Sequence, residues 1–505
     1  MSKIFTLFLF PTFFAFSQTP PIVSPNSAYI DFGNSVTLSA FACVGTIEWS
    51  TGQTGSSITI SPKQSTQISA KCVVGNQTSG SSNVVLVQVG LTNSPCGSSV
   101  IVSSPISNSG QRIYSSNTIA ANSIIEPDAS VKFKANNAVK LQPGFQSKSG
   151  SVFKTILGKC DELQTREVIN TNLNMPWEIL WGPDNYIWIT EKAGKISRVN
   201  PETGQKFELI TIPDVLNYGE GGLLGMVLHP DFITNPYVYV VYNYGTQPSG
   251  VLEKVVRYTY ASGTLNSPLI LFDNILGWVN HNGSRLVISP DLKLYITTGD
   301  AANTSNPQNN NSINGKILRI NLDGTIPADN PNPVQTPLGA IWSKGHRNPQ
   351  GMVLFNQKLY VSSHGDNTED EINLVEKSGN YGYPNVVGPC DTPSEITFCN
   401  TNNTIQPIFS SGNVTWAFCG LDYYSSDNYP RWKDHLLMVS LKNQTFYTFK
   451  LSQDGNSIVG QPTQYFANQY GRLRDIAISP SGKVYFCTNN LNPSDKIIEI
   501  TPVVD

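Results

Sequence analysis

The chain has 505 residues, too many for one hydrophobic core, so two to four domains are expected. Its net charge of −3 and isoelectric point near 6.0 argue against nucleic-acid or polyanion partners. Only 14% of residues are charged, while 40 glycines and 33 prolines supply turns that helix interiors exclude, the composition of an extracellular β-rich protein.

Residues 1–17 read as an export signal. Lys3 is the positive head, Ile4 to Phe16 is nearly all apolar, and Ala15-Phe16-Ser17 offers small residues for cleavage before Gln18. A buried N-terminal strand is the alternative. The stretch is short for a membrane span, and no later segment is apolar enough for one. A soluble or surface-held protein outside the cytoplasm is therefore expected. The eight cysteines are even in number, as an oxidising compartment allows. By position, Cys43 with Cys72 and Cys390 with Cys399 are plausible bridges, Cys96 with Cys160 would bracket a middle segment, and Cys419 and Cys487 are left over.

Residues 18–90 alternate polar and apolar positions in Ser35–Ser39 and Ser57–Ile60, as half-buried strands do. Val84-Val85-Leu86-Val87 is unbroken and predicts a more buried strand. Cys43, Trp49 and Cys72 resemble, at compressed spacing, the Cys-Trp-Cys core of immunoglobulin-like sandwiches. Residues 96–160 carry short β units at 117–119, 123–125, 130–133, 138–141 and 151–153, a spacing that suits a stacked-β spacer module. No catalytic grouping precedes residue 160, so the front part is expected to space or to adhere.

From 161 to 505 short strands follow one another between turn signals. Ser289-Pro290-Asp291-Leu292-Lys293, Ser479-Pro480-Ser481-Gly482-Lys483 and the variant Trp181-Gly182-Pro183-Asp184-Asn185 each precede an aromatic-containing strand. Repeated units of this kind predict an all-β propeller, and the span could hold six or more blades of about 40–50 residues. A pair of sandwiches is the alternative.

Polar motifs sit beside these strands. His281, between Asn280 and Asn282, is a candidate proton acceptor near neutral pH, against the plainer reading of a hydrogen-bonded structural histidine. Arg347 lies in Gly345-His346-Arg347-Asn348-Pro349-Gln350-Gly351, where a fixed guanidinium could steady developing negative charge. Lys442, Arg472 and Arg474 could hold a multiply charged anion, or could pair with acids such as Asp475. Asp366, Glu369, Asp370 and Glu371, followed by Gly379-Asn380-Tyr381-Gly382, crowd oxygens in a manner that suits Ca²⁺, although the spacing is not that of an EF-hand. Gly219-Glu220-Gly221-Gly222-Leu223-Leu224-Gly225 fails the dinucleotide spacing, and no zinc-protease, hydrolase or Walker motif occurs.

Taken in order, these loops resemble the soluble glucose/sorbosone dehydrogenase family, the pyrroloquinoline quinone (PQQ)-dependent aldose sugar dehydrogenases, over about residues 165 to 500. The resemblance includes Gly324-Thr325-Ile326-Pro327-Ala328-Asp329-Asn330-Pro331. It implies a six-bladed propeller with the quinone over its top face. It implies that His281 is the general base on the anomeric hydroxyl, and that Arg347 and Asn348 contact the quinone's reactive side. Lys442, Arg472 and Arg474 would hold its carboxylates, and Trp416 would wall the site. Carbonyls of Gly365 and Asp366 would bind Ca²⁺, and Asp370, Glu371 and Tyr381 would ligate a second, structural Ca²⁺. Glu220, Asn280 and Gln350 would face the sugar. Asn280 stands where the well-known glucose oxidisers carry Asp, Glu220 where they carry Gln and Asp366 where they carry Pro. The first two of these departures leave the preferred sugar open.

Two function classes follow. The first is a secreted dehydrogenase that passes electrons from a small sugar to an external acceptor. The second is a non-catalytic propeller that binds glycans or proteins. The joint presence of a base, a guanidinium and a carboxylate clamp favours the enzyme. The front modules would contact a cell surface or polysaccharide.

Overall fold

A computed structural model describes residues 19–25, 27–31, 35–60, 66–75, 77–90, 99–102, 106, 110–127, 129–157, 163–170, 172–491 and 494–502. The export signal, Cys96 and Cys160 lie outside the described residues. The chain divides into two compact units, one of residues up to 162 and one spanning Leu163–Pro502. Among the described residues no helix is long and apolar enough to cross a membrane.

In the first unit, residues 22–90 form three three-stranded sheets around one core of Val23, Leu38, Ile47, Trp49, Ile58, Val85 and Val87. The Cys43–Cys72 bridge forms, and the Trp49 indole N–H donates to the Gly55 carbonyl at 2.8 Å. Val84 differs from its expectation. It is 54% exposed and precedes the strand Val85–Gly90, whose Val85 and Val87 are buried in the core. Further on, Ser99–Val102, Gly110–Ala121, Ala129–Leu141 and Val152–Leu157 pair in parallel, each on the next. The short units of the sequence merge here into longer strands. Ile119, Val131, Phe133 and Phe153 pack along one core, with the rings of Phe133 and Phe153 edge-on at 5.1 Å.

The second unit is all-β, with six four-stranded antiparallel sheets among its described residues. Their first strands are Pro176–Trp181, Leu223–Leu228, Gly283–Ile288, Asn348–Phe355, Phe418–Tyr424 and Leu473–Ile478. Each packs on the next, and the last packs on the first, so the sheets close into a β-propeller ring. Leu163–Ile169 supplies the outermost strand of the last sheet and pairs with Ile497–Pro502, which joins the two ends of the unit. Between adjacent sheets lie apolar layers such as Trp432, Phe446, Leu473 and Phe486.

Two details position the site. In an up-and-down sheet, the start of the first strand and the end of the second lie at the same edge. Glu220, His281, Arg347, Trp416 and Arg472 precede first strands, whereas Gly365, Asp366 and Lys442 follow second strands. All of them therefore gather at one end of the ring. The ladder between first and second strands also shifts register near that end in every sheet, for example between Gly283 and Leu286 and between Leu473 and Asp475. Such bulges re-aim side chains out of the regular pleat.

Cys390 and Cys399 are bridged. Cys419 and Cys487 are buried free thiols, and burial pushes the Cys419 thiol up to about 11, which makes it inert.

Candidate active site

His281 is the hub of this end. Its φ of 58° is in the left-handed region that a β-carbon disfavours. Two contacts hold it there: its N–H donates to Glu220 Oε2 at 3.1 Å, and its carbonyl accepts from Ala301 N at 3.2 Å. Its Nδ1 lies 2.8 Å from Asp300 Oδ1, which also accepts from Ala302 N at 2.8 Å. The Asp300 side chain is 1% exposed and that of His281 is 14% exposed. A buried carboxylate on Nδ1 fixes the tautomer with hydrogen on Nδ1 and leaves Nε2 as the basic nitrogen. No described residue hydrogen-bonds Nε2. Asp300 was not among the sequence candidates. Its only signal was Thr298-Gly299-Asp300 at the end of a second strand, where Gly365, Asp366 and Lys442 also fall.

The Asp300 N–H donates to the Arg347 carbonyl at 2.8 Å, so the base and the guanidinium share one backbone contact. Arg347 Nη1 donates to the Gly365 carbonyl at 2.6 Å, and Nη2 to Asp366 Oδ1 at 3.0 Å. Asn348 is buried and accepts from Gly283 N at 3.1 Å through Oδ1. Glu220 is exposed beside His281, and Asn280 is half-buried next to it.

Arg474 is buried, and Nη1 donates to Gln350 Oε1 at 2.6 Å. This places Gln350 beneath the cation, with its amide oxygen committed to Arg474. Asp475 does not pair with Arg474. It meets Arg285 at 3.0 Å together with Glu178 at 2.5 Å, in a buried cluster below the site. Burial lowers the Arg474 pKa from its ordinary value. Arg472 anchors its backbone N–H on Asn490 at 2.8 Å and its Nε on the Asn489 carbonyl at 3.1 Å. Lys192, also missed in the sequence, donates to the Gly219 carbonyl at 2.6 Å and is 5% exposed. Its pKa is held down at about 8, first by burial and then by the Arg474 charge, against the pull of Glu220.

Lys442 is exposed, and its N–H donates to the Trp416 carbonyl at 3.1 Å. The Trp416 ring lies parallel to Tyr447 at 4.7 Å, which fixes its plane. Asp370 ties this wall to the opposite loop. Its fully buried carboxylate accepts from Gly365 N at 2.8 Å, Thr415 Oγ1 at 2.9 Å, Ala417 N at 2.6 Å and Trp416 N.

The acidic loop therefore works differently from the sequence expectation. The Asp370 oxygens are filled by protein donors. The Tyr381 hydroxyl donates to the Leu374 carbonyl at 2.7 Å and accepts from Glu376 N at 2.8 Å. The Glu371 oxygens accept from Gly388 N at 2.9 Å and Asn373 Nδ2 at 2.8 Å, and burial pushes its pKa up to about 7. Among the described residues no group of three His, Cys, Asp or Glu side chains is arranged to hold a metal. A second Ca²⁺ on Asp370, Glu371 and Tyr381 would exchange these protein donors for the metal.

The same end fits an organic polyanion. Arg347 Nε, Asn348 Nδ2, Arg474 Nε and His364 Nε2 are buried without a partner. Nitrogens left open at this end are available to a polar ligand. His364 is a further residue absent from the sequence candidates. Burial holds its imidazole below the usual range, against the opposing pull of Asp370 and Glu220.

A family model described as glucose/sorbosone dehydrogenase matches residues 173–498. Quinoprotein glucose dehydrogenase B of Acinetobacter calcoaceticus is 34% identical over 404 residues, covering 64% of this chain and 84% of that protein. Aldose sugar dehydrogenase YliI of Escherichia coli (strain K12) is 30% identical over 355 residues, covering 66% and 92%. Among solved structures, the PQQ-bound aldose sugar dehydrogenase of Streptomyces coelicolor matches with a TM-score of 0.57 at 29% identity, covering 67% of this chain and 98% of that one. The apo-form soluble aldose sugar dehydrogenase of Escherichia coli matches at 0.61 and 26%, covering 68% and 100%.

Proposed function

The chain belongs to the glucose/sorbosone dehydrogenase family and is a PQQ-dependent sugar oxidoreductase, and we propose that it oxidises an aldose at the anomeric hydroxyl and passes the electrons to an external acceptor. The observation that carries this reading is the His281–Asp300 pair, open at Nε2, beside Arg347, Arg472, Arg474, Lys192 and Lys442. A net-positive rim suits a multiply charged anion, and a polarised imidazole suits a hydroxyl proton.

His281 Nε2 takes the proton of the anomeric hydroxyl. The ring becomes an imidazolium, and Asp300, already bonded at Nδ1, stabilises that charge without itself moving. Glu220 and Asn280 line the approach to the base and orient the sugar. Trp416 gives the ring plane a flat wall. When bound, PQQ supplies the two-electron acceptor for the hydrogen on the same sugar carbon. Arg347 and Asn348 would face the quinone's reactive side, and Arg472, Arg474 and Lys442 its carboxylates. The Gly365 and Asp366 carbonyls would hold Ca²⁺. The Arg347 guanidinium donates to the Gly365 carbonyl, a contact that supports reading this edge as one that takes positive charge.

The six sheets are the six blades of the propeller. Residues 18–90 form an immunoglobulin-like module, 96–160 a stacked spacer and 161–505 the dehydrogenase. The front modules carry the enzyme to a surface or polysaccharide. Two disulfides support a location outside the cytoplasm. The test is to add PQQ and Ca²⁺ to the purified chain and follow dye reduction with a panel of aldoses. Reduction by at least one aldose, dependent on PQQ, is expected. No quinone binding and no turnover with any sugar would leave a binding propeller in its place.

A further inference from the structure

Lys316 is a fully buried lysine whose ammonium meets backbone carbonyls and, among the described residues, no carboxylate. It opens the third strand of the third sheet, directly after the loop 299–315. Its ammonium donates to the carbonyls of Asn306 at 2.8 Å, Pro307 at 3.0 Å and Asn314 at 2.9 Å, which satisfies all three of its protons. Three backbone carbonyls around one monocation, with no anion, is the arrangement of a monovalent-cation site, here filled by a tethered side chain. Burying an uncompensated charge is costly, and the Lys316 pKa falls to about 7, first through burial and then through repulsion from Lys344. The adjacent His346 is buried and neutral, its pKa held at about 3 by burial, and supplies no counter-charge.

The carbonyls it gathers belong to the loop that begins with Asp300. Asn306 Nδ2 donates to the Asp300 carbonyl at 2.9 Å, and Asn314 Nδ2 to the Gly299 carbonyl at 3.0 Å. Gly299 packs so closely on the His281 backbone that a β-carbon there would lie 1.8 Å from the His281 carbonyl oxygen. The ammonium thus ties the middle of this loop to its end, and Asn306 links that middle to the first residues, which touch the base. Packing alone would be served by Met or Leu at this position.

We infer that Lys316 is the positioning residue of the proton-transfer pair, its ammonium acting as a built-in cation around which the 299–315 loop is wound so that Asp300 meets His281 Nδ1. This rests on the proposed role of His281 but is tested separately from it. In the protein without quinone, ¹⁵N-histidine NMR should show a low-field Nδ1 proton for His281. In K316Q, which keeps amide donors but loses the charge, that line should shift or broaden. With quinone bound, kcat should fall by about 10-fold or more while KM for the sugar stays within about twofold. K316R keeps the charge, but its planar fork cannot reach three converging carbonyls at once. Its line should move less and its kcat should fall about threefold, and it serves as the folded variant where K316Q does not fold. An unchanged Nδ1 line in either folded variant overturns the inference. A wild-type protein that shows the line and its loss in K316Q, yet oxidises no sugar, overturns the function and leaves the Lys316 assignment standing.

Discussion

Asp300→Asn removes a charge and almost nothing else. Asn can still accept from Ala302 N and from His281 Nδ1–H through one oxygen, so the tautomer and the loop are kept. What disappears is the attraction between carboxylate and imidazolium across 2.8 Å. Two unit charges at that distance attract by about 1.5 kcal/mol in water and about 6 kcal/mol at an effective dielectric of 20. With side chains 1% and 14% exposed, the pair lies between these limits. About 3 kcal/mol is a reasonable middle, which corresponds to roughly a 10²-fold loss in kcat. The assay is dye reduction with PQQ and Ca²⁺ saturating, alongside a titration of quinone binding. Quinone affinity should be unchanged, because Asp300 does not face the cation set. The double variant with His281→Ala should be no slower than His281→Ala alone, because Asp300 acts only through the imidazole. If Asp300→Asn slows the His281→Ala enzyme by the same factor as the wild type, the two residues do not work as a pair and the reasoning fails.

Lys192 has a pKa near 8, so it is charged below that pH and neutral above it. Quinone affinity should fall as pH rises through 8, and Lys192→Met should be weaker throughout but flat across that window, as measured by quinone titration at a series of pH values. Arg474 is a buried cation that meets the neutral Gln350 and the Trp177 ring, with no carboxylate paired to it among the described residues. Arg474→Met should therefore stabilise the quinone-free protein by about 1–2 kcal/mol in urea melts while weakening quinone binding by roughly 10-fold or more. Arg285 sits between Glu178 and Asp475, so Arg285→Met strands two buried carboxylates. That variant should lose about 3–5 kcal/mol in the same melts.

Much of the architecture was legible because turn chemistry and alternation are local. The Ser-Pro and Gly-Pro turns fall between first and second strands, at the far edge from the site, and the polar motifs fall at the near edge. What sequence could not supply was who pairs with whom. Arg474 and Asp475 are neighbours in the chain and would be read as partners. The pleat sends them to opposite faces, one to Gln350 and the other to Arg285. The acidic loop invited a calcium assignment because a sequence shows the charges and hides the donors. Asp370 spends its charge on N–H and hydroxyl groups of residues 365 and 415–417, more than 40 positions away in the latter case. Asp300, Lys192 and His364 escaped notice because each is a single residue at a strand end. Their importance comes from ring closure, which only the folded chain performs. The one α-helix among the described residues, Pro393–Asn402, did carry a local signature, Thr392 with Glu395 as a capping box.

The buried cations of this unit fall into two kinds, and the difference separates structure from function. Arg285 is answered by two carboxylates, and Lys316 by three carbonyls. Both find their main partners within the protein, although Arg285 Nη2 is left without one. Arg474 and Lys192 have fewer partners: one reaches a single amide and the other a single carbonyl. Burial without an anion is unfavourable unless something else supplies the anion. The incomplete cations lie with the unpartnered nitrogens of Arg347, Asn348 and His364 at the end of the ring where His281 opens. Selection for stability alone would have removed them, as the expected gain from Arg474→Met expresses. Their place at that end, beside an open imidazole, is what a site preorganised for a bound polyanion requires.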